Sequence, residues 1–265
     1  MLMVLDRFRL DGRTAVVTGG AAGLGQAFAL ALAEAGARVA VIDRDPATET
    51  AQVLGERGFS VAADLAKEEQ VAVAVGRILE WSGGKLDILV NNAGIATPPA
   101  RLLDVSVDEW DRAITINLRS MFLVTKALLP ELIASGRGSI VNLSSYLALV
   151  GVYPDFPVTA IPYATSKAGV VGFTRQIAVE YAKDKVRANA IAPGWHLGTK
   201  LGREAEGKIS TEEYRRFADF MESSVPMGHT GRPDNLVGLI LYLASDASSY
   251  LTGQIIAHDG GITAA

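Results

Sequence analysis

Short apolar runs rich in β-branched residues alternate along this chain with longer stretches in which apolar positions recur at helical spacing. "TAVVTG" (14–19), "RVAVID" (38–43), "SVAADL" (60–65), "LDILVNNAG" (86–94), "GSIVNLS" (138–144), "VRANAIAPG" (186–194) and "GQIIAHDGG" (253–261) read as strands, several running into turns. Between them, 24–36, 46–58, 67–81, 106–135, 163–184 and 234–246 read as helices. Pro46 and Gly58 punctuate the second of these. Ser106, with Glu109 three residues on, forms a capping box that starts the fourth. Residues 195–228 are mixed in pattern and read as a mobile segment. Strand–helix alternation repeated about seven times predicts an α/β fold: a parallel sheet covered by helices on both faces. No interior linker or repeat interrupts it, so 1–265 is expected to form one domain. In such sheets ligands sit beyond the carboxyl ends of the strands, and the chemically informative residues follow strands here.

Composition narrows the function classes. Of 265 residues, 49% are hydrophobic and 20% charged, enough apolar material for a large core. The net charge is −4 and no basic cluster marks a nucleic-acid footprint. With no cysteine, disulfides, thiol nucleophiles and cysteine-ligated metals are excluded. His196, His229 and His258 have no close ligand spacing, so no metal site is expected. "MLMVLDRFRL" carries Asp6 and two arginines and does not read as a signal peptide. No run of about 18 apolar residues would cross a membrane. A cytoplasmic location is the expectation.

The loop "TGGAAGLG" (18–25) joins the first strand to the first helix. Its glycines let the backbone approach a pyrophosphate, and the helix amino end offers free N–H groups and a positive dipole. The spacing is Gly19-x3-Gly23-x-Gly25, so a tight strand–helix turn is the plainer alternative. Asp43 closes the second strand, at the distance where an acid accepts hydrogen bonds from an adenosine ribose. A 2′-phosphate there would face a like charge, at a cost of very roughly 4 kcal/mol. The loop has no Lys or Arg to compensate, although Arg44 is able to swing toward a phosphate. NAD is therefore the expected cofactor.

Tyr163 and Lys167 are four residues apart and share a helix face. A lone Y-x-x-x-K is common and usually structural. This one follows a long loop beyond the fifth strand, at the ligand-bearing edge, where a cation one turn away favours phenolate. Taken together, "TGGAAGLG", "NNAG" (91–94), Asn117, "NLSS" (142–145), "YATSK" (163–167) and "APG" (192–194) resemble the short-chain dehydrogenase/reductase family, in order and spacing, over essentially the whole chain.

The resemblance implies a single doubly wound Rossmann domain and hydride transfer between a nicotinamide and a secondary alcohol or ketone. Tyr163 would be the acid/base. Lys167 would bind the nicotinamide ribose and depress the tyrosine pKa. Ser145 would hold the substrate oxygen, and Asn117 a water in the proton relay. Gly19, Gly23, Leu24 and Gly25 would meet the pyrophosphate. Asp64 and Leu65 would flank the adenine. Asn91, Ala93 and Gly94 would line the cleft, and Pro193, Gly194, His196 and Thr199 would lie at the nicotinamide. A homotetramer is also implied.

Two departures stand out. Ser145 precedes Tyr163 by 18 residues, about five more than is usual in the family, and the extra stretch is rich in prolines and aromatics. Lengthening a surface loop adds little closure entropy, so the two ends can still meet, with the extra residues as a semi-rigid wall or a neutral insertion. Thr199 falls six residues after Pro193, one later than usual. Residues 146–162 and 195–228 are expected to form opposite pocket walls, with Tyr153, Asp155, Trp195 and His196 toward a small-molecule substrate; solvated decoration is the competing view. The overall pattern is most like the gluconate 5-dehydrogenase-like sugar dehydrogenases. A 3-oxoacyl-carrier-protein reductase and a non-catalytic dinucleotide sensor are the alternatives. Asp43 and the lack of a basic patch weigh against the first, and an intact catalytic set weighs against the second.

Overall fold

The computed structural model describes residues 3–151, 161–197 and 211–265. Seven strands form one sheet: β1 (Thr14–Thr18), β2 (Arg38–Asp43), β3 (Gly58–Ala62), β4 (Ile88–Asn91), β5 (Ser139–Leu143), β6 (Arg187–Pro193) and β7 (Ile255–His258). Their order is β3-β2-β1-β4-β5-β6-β7, and every pair is parallel. The α/β class and the parallel sheet expected from the hydrophobic pattern are both present. The chain leaves β1 toward β2 and β3, then returns to add β4 on the other side. This reversal opens a crevice at the carboxyl ends of β1 and β4.

The helices are α1 (Gly23–Glu34), α2 (Thr48–Leu54), α3 (Glu68–Ser82), α4 (Val107–Ile114), α5 (Ser120–Ala134), α6 (Ile161–Glu180), α7 (Thr211–Ser223) and α8 (Pro233–Ala244). Strand residues alternate between the two faces, which is why the core divides in two. Val16, Ala40, Leu89 and Ile140 meet α3, α5 and α6 on one face, through Ile78, Leu128 and Ile177. Ala15, Val17, Val41 and Val141 meet α1 and α8 on the other, through Phe28, Leu32 and Ile240. Phe28 is fully buried, so its truncation to Ala would cost about 3–5 kcal/mol.

Four elements differ from the sequence expectation. The helix expected over 106–135 is interrupted: α4 passes into a π-helical turn, Thr115–Arg119, before α5 begins. No Gly or Pro stands in "TINLR" to announce it. The capping box at Ser106 is present, with Ser106 Oγ accepting from the Glu109 N–H at 3.2 Å. The helix expected over 46–58 ends at Leu54, because Gly55 takes a positive φ of 58°. Gly58 is then free to open β3, and the strand expected over 60–65 runs two residues earlier. Within the segment read as mixed, α7 is a regular helix, docked by the buried Met221 and, just after it, Val225.

Candidate active site

The crevice is built first from backbone. Thr18 Oγ1, at the end of β1, accepts from the N–H groups of Asn92 and Ala93 at 3.0 Å each. The Asn92 amide donates back to the carbonyls of Thr18 and Gly19, also at 3.0 Å. These bonds lock the glycine loop to the loop after β4. A Cβ on Gly25 would collide with the Gly19 carbonyl, and one on Gly19 would come within 2.8 Å of Ala93 Cα. Gly25 therefore sets how closely α1 approaches the loop, rather than lining the crevice itself. No side chain caps the first turn of α1, so its leading N–H groups face the crevice as an anion site.

Asp43 lies half-buried at the end of β2. Its carboxylate accepts from the Ala21 N–H at 2.9 Å and from the Asp45 N–H at 3.1 Å. It thus braces the glycine loop with two of its lone-pair positions and keeps others for a ligand. Arg44 is mostly exposed, 3.7 Å from Asp45, and lines the rim of the crevice beside Asp43. Of the residues expected here, Gly19, Gly23, Leu24, Asp43, Asp64, Leu65, Ala93 and Gly94 all line the crevice. Asn92, from the "NNAG" motif, joins them, as do Ile95, Ile116 and Ser120, which were not singled out from the sequence. Asn91 does not reach it. That residue is 2% exposed beneath the crevice, and its amide donates to Thr125 Oγ1 and Asn142 Oδ1 at 2.9 Å. The strand's alternation turns the first asparagine of "NNAG" into the core and the second toward the glycine loop. The glycine cradle, the uncapped helix end and the terminal acid of β2 together suit a dinucleotide.

Past Gly94 the crevice meets a second set of groups. A Cβ on Gly94 would stand 3.1 Å from Asn117 Oδ1 and 3.5 Å from Lys167 Nζ, so these three converge. Asn117 sits in the π-helical turn and is fully buried. Its Oδ1 accepts from the Ile95 N–H at 2.7 Å, and its amide donates to the Ile95 carbonyl and Ser166 Oγ, both at 3.0 Å. The side chain is spent tying the β4 loop to α6. Lys167 Nζ donates to the Leu143 carbonyl at 2.7 Å and lies 5.7 Å from the Tyr163 ring centroid. Ser144 Oγ donates to the Lys167 carbonyl at 2.9 Å, and Ser145 lies near enough to the Tyr163 phenol to favour its ionised form. The two ends of the long stretch from Ser144 to Lys167 therefore do meet.

The electrostatics differ from expectation. Burial lowers the Lys167 ammonium to about 8. Burial also raises Tyr163 above its ordinary value, and nearby Ser145 only partly opposes this. Tyr163 thus lies above rather than below its ordinary value, because desolvation is the largest effect on it.

The third wall follows β6. The Gly194 N–H donates to the His258 carbonyl at 3.0 Å, holding Pro193 and Gly194 against β7. His196 was considered for cofactor and substrate. Its Nδ1 lies 3.1 Å from the Gly194 carbonyl, and its ring is packed over Gly231 and 5.6 Å from His258. That side chain packs the turn after β6 against Gly231 and β7. Trp195 packs edge-on against Tyr146, with ring centroids 5.5 Å apart, which joins the two segments expected to face each other. Tyr153, Asp155 and Thr199 lie outside the described residues. Tyr146 was not among the expected site residues, although its place directly after Ser145 was a usable signal. Among the described residues no cluster of three or more His, Asp or Glu is suited to a metal, and no helix is long and apolar enough to cross a membrane.

Comparison with known proteins agrees with this geometry. The pattern of the enoyl-(acyl carrier protein) reductase family matches residues 19–263. A 2-dehydro-3-deoxy-D-gluconate 5-dehydrogenase of Escherichia coli (strain K12) is 38% identical over 264 residues, covering 98% of both chains. The chain belongs to the short-chain dehydrogenase/reductase family. It is also similar to a 3-oxoacyl-[acyl-carrier-protein] reductase of Thermotoga maritima, 36% identical over 96% of this chain and 99% of that one. The crystal structure of a putative NAD(P)-dependent gluconate 5-dehydrogenase from Beutenbergia cavernae, with bound NADP at low occupancy, superposes with a TM-score of 0.86. That protein is 36% identical, over 98% of this chain and all of the other. As a family member, this chain is an oxidoreductase that uses a nicotinamide cofactor.

Proposed function

We propose that this short-chain dehydrogenase oxidises a secondary alcohol of a sugar acid or related polyol, or reduces the matching ketone, with NAD(H) preferred. The observation that carries the chemistry is the meeting of Ser145, Tyr163 and Lys167 at the end of the glycine crevice. The residues present fit a nicotinamide dinucleotide: its pyrophosphate against Gly19, Gly23, Leu24 and the start of α1, its adenosine between Asp43, Asp64 and Leu65. When bound, it would supply the hydride acceptor or donor.

In oxidation Tyr163, as phenolate, accepts the proton of the substrate hydroxyl; in reduction it returns that proton to the ketone oxygen. The Ser145 hydroxyl holds the same oxygen. Lys167 would hold a ribose hydroxyl of the bound cofactor and adds positive charge that favours phenolate. Asn117 fixes the β4 loop and α6 relative to each other, and is assigned the relay water. Pro193, Gly194 and Thr199 are assigned to the carboxamide end. The segment 195–228 is assigned to substrate binding and closure, in one domain with the rest of the chain.

Asp43 supports the NAD preference, because a 2′-phosphate would meet a carboxylate already fixed by two N–H groups. The sugar-acid reading rests on the likeness to gluconate-type dehydrogenases. A 3-oxoacyl-carrier-protein reductase remains the second reading, because of the Thermotoga relative. A cytoplasmic location fits the absence of cysteine. Purified enzyme assayed with NAD(H) and NADP(H) against aldonates, polyols, plain secondary alcohols and a 3-oxoacyl thioester tests the assignment. Highest kcat/KM on an aldonate or polyol with NAD supports it. Highest kcat/KM on the thioester with NADPH replaces it by the second reading.

A further inference from the structure

Tyr146 directly follows Ser145 and opens a short 3-10 turn, Tyr146–Ala148. The Leu147 N–H donates to Ser145 Oγ at 3.3 Å, so the turn and the serine hydroxyl are held as one unit. Tyr146 is 3% exposed, and its ring is clamped by Trp195 across the site. Its phenol oxygen is buried and has no hydrogen-bond partner among the described residues. A buried hydroxyl in this state is completed by an ordered water or by a ligand. It also lies close enough to Tyr163 for the charge of one phenolate to oppose ionisation of the other. Burial and this repulsion both raise its pKa, so it keeps its proton and remains a donor.

We infer that Tyr146 Oη is a specificity-determining group that hydrogen-bonds a second oxygen of the substrate, near the carbon whose oxygen is held by Ser145 and Tyr163. The inference rests on the polyhydroxylated-substrate reading and deepens it. A substrate with one hydroxyl leaves Tyr146 unpaired; a vicinal diol satisfies it. Sites built to pair a substrate hydroxyl reject analogues that lack it.

The test compares wild type with Tyr146→Phe, which removes one oxygen and keeps the ring packed on Trp195. The probes are trans-1,2-cyclohexanediol, cyclohexanol and D-gluconate, each with NAD. Wild type is expected to favour the diol over cyclohexanol about tenfold or more in kcat/KM. Tyr146→Phe is expected to lose about tenfold on the diol, mainly in KM, with cyclohexanol, NAD affinity and folding cooperativity unchanged. Its Tm is expected to stay level or rise, since an unpaired buried hydroxyl is removed. If neither alcohol turns over, the same comparison is made on their dissociation constants from the enzyme–NADH complex. Equal losses on both alcohols, an unchanged preference in the variant, or no preference in wild type would overturn the inference. The gluconate arm is read separately. A Tyr146-dependent diol preference without gluconate turnover keeps the inference and removes the sugar-acid reading.

Discussion

Lys167→Met should make the protein more stable at neutral pH while destroying its activity. Lys167 is 4% exposed, and burial lowers its ammonium from an ordinary 10.5 to about 8. Each pH unit of that lowering corresponds to about 1.4 kcal/mol, so holding the charge in the apo site at pH 7 costs roughly 3 kcal/mol. Methionine keeps most of the side-chain volume and removes the charge. It also forfeits the 2.7 Å bond to the Leu143 carbonyl, a loss of about 1–2 kcal/mol with the carbonyl left unpaired. The net gain at pH 7 is about 1–2 kcal/mol, or a Tm rise of roughly 2–8 °C for a chain of this size. The sign with pH follows from linkage. A lysine whose folded pKa is lowered binds fewer protons in the native state between about 8 and 10.5, so wild-type stability recovers as pH rises through that window. Methionine has no such recovery, and the variant's advantage should shrink by about 2 kcal/mol between pH 7 and 9.5. Thermal melts of both apo proteins at fixed concentration and several pH values read this directly. A variant less stable than wild type at pH 7, or a difference that does not change with pH, would refute the claim that Lys167 is held charged against its surroundings.

Asp43→Ala should narrow the preference for NAD over NADP in kcat/KM and loosen the glycine loop, since the carboxylate also holds the Ala21 N–H; equal or better use of NADP by wild type would contradict the assigned role. Gly25→Ala should lower NAD(H) affinity at least tenfold by titration, because the added methyl collides with the Gly19 carbonyl; unchanged affinity would show that the loop geometry is not what binds. Leu103, Val107 and Val179 are 98%, 73% and 77% exposed, and light scattering at micromolar concentration is expected to give a homotetramer that covers such faces; a monomer would refute this.

The fold was legible because its signals are local and repeated. A strand such as "TAVVT" carries no charged residue and three apolar ones in a row because both faces of a parallel sheet are covered, and β1 is buried at every position. The interruption of the helix at Thr115–Arg119 was not legible, because it is held by tertiary bonds from Asn117 to Ile95 and Ser166 rather than by a breaking residue. The same limit separates Asn91 from Asn92: the motif marks both, but only the strand's exact end decides which one faces the crevice. The Tyr163 pKa was misjudged from the spacing to Lys167 alone. Spacing reveals the cation and hides the desolvation, which is the largest effect on the phenol in the apo site. Tyr146 was passed over although it directly follows Ser145, because a sequence does not show that its hydroxyl is buried without a partner among the described residues.

Tyr163→Phe tests the central claim most directly, because it removes one oxygen from the group assigned to move the proton. Turnover and NAD(H) binding are measured on the same preparation, by initial rates and by titration of bound-cofactor fluorescence. The expected result is a fall in kcat of at least 10²-fold with NAD(H) affinity within a few-fold of wild type. A variant that keeps most of its kcat would show that Tyr163 is not the acid/base and that the meeting of Ser145, Tyr163 and Lys167 serves another purpose.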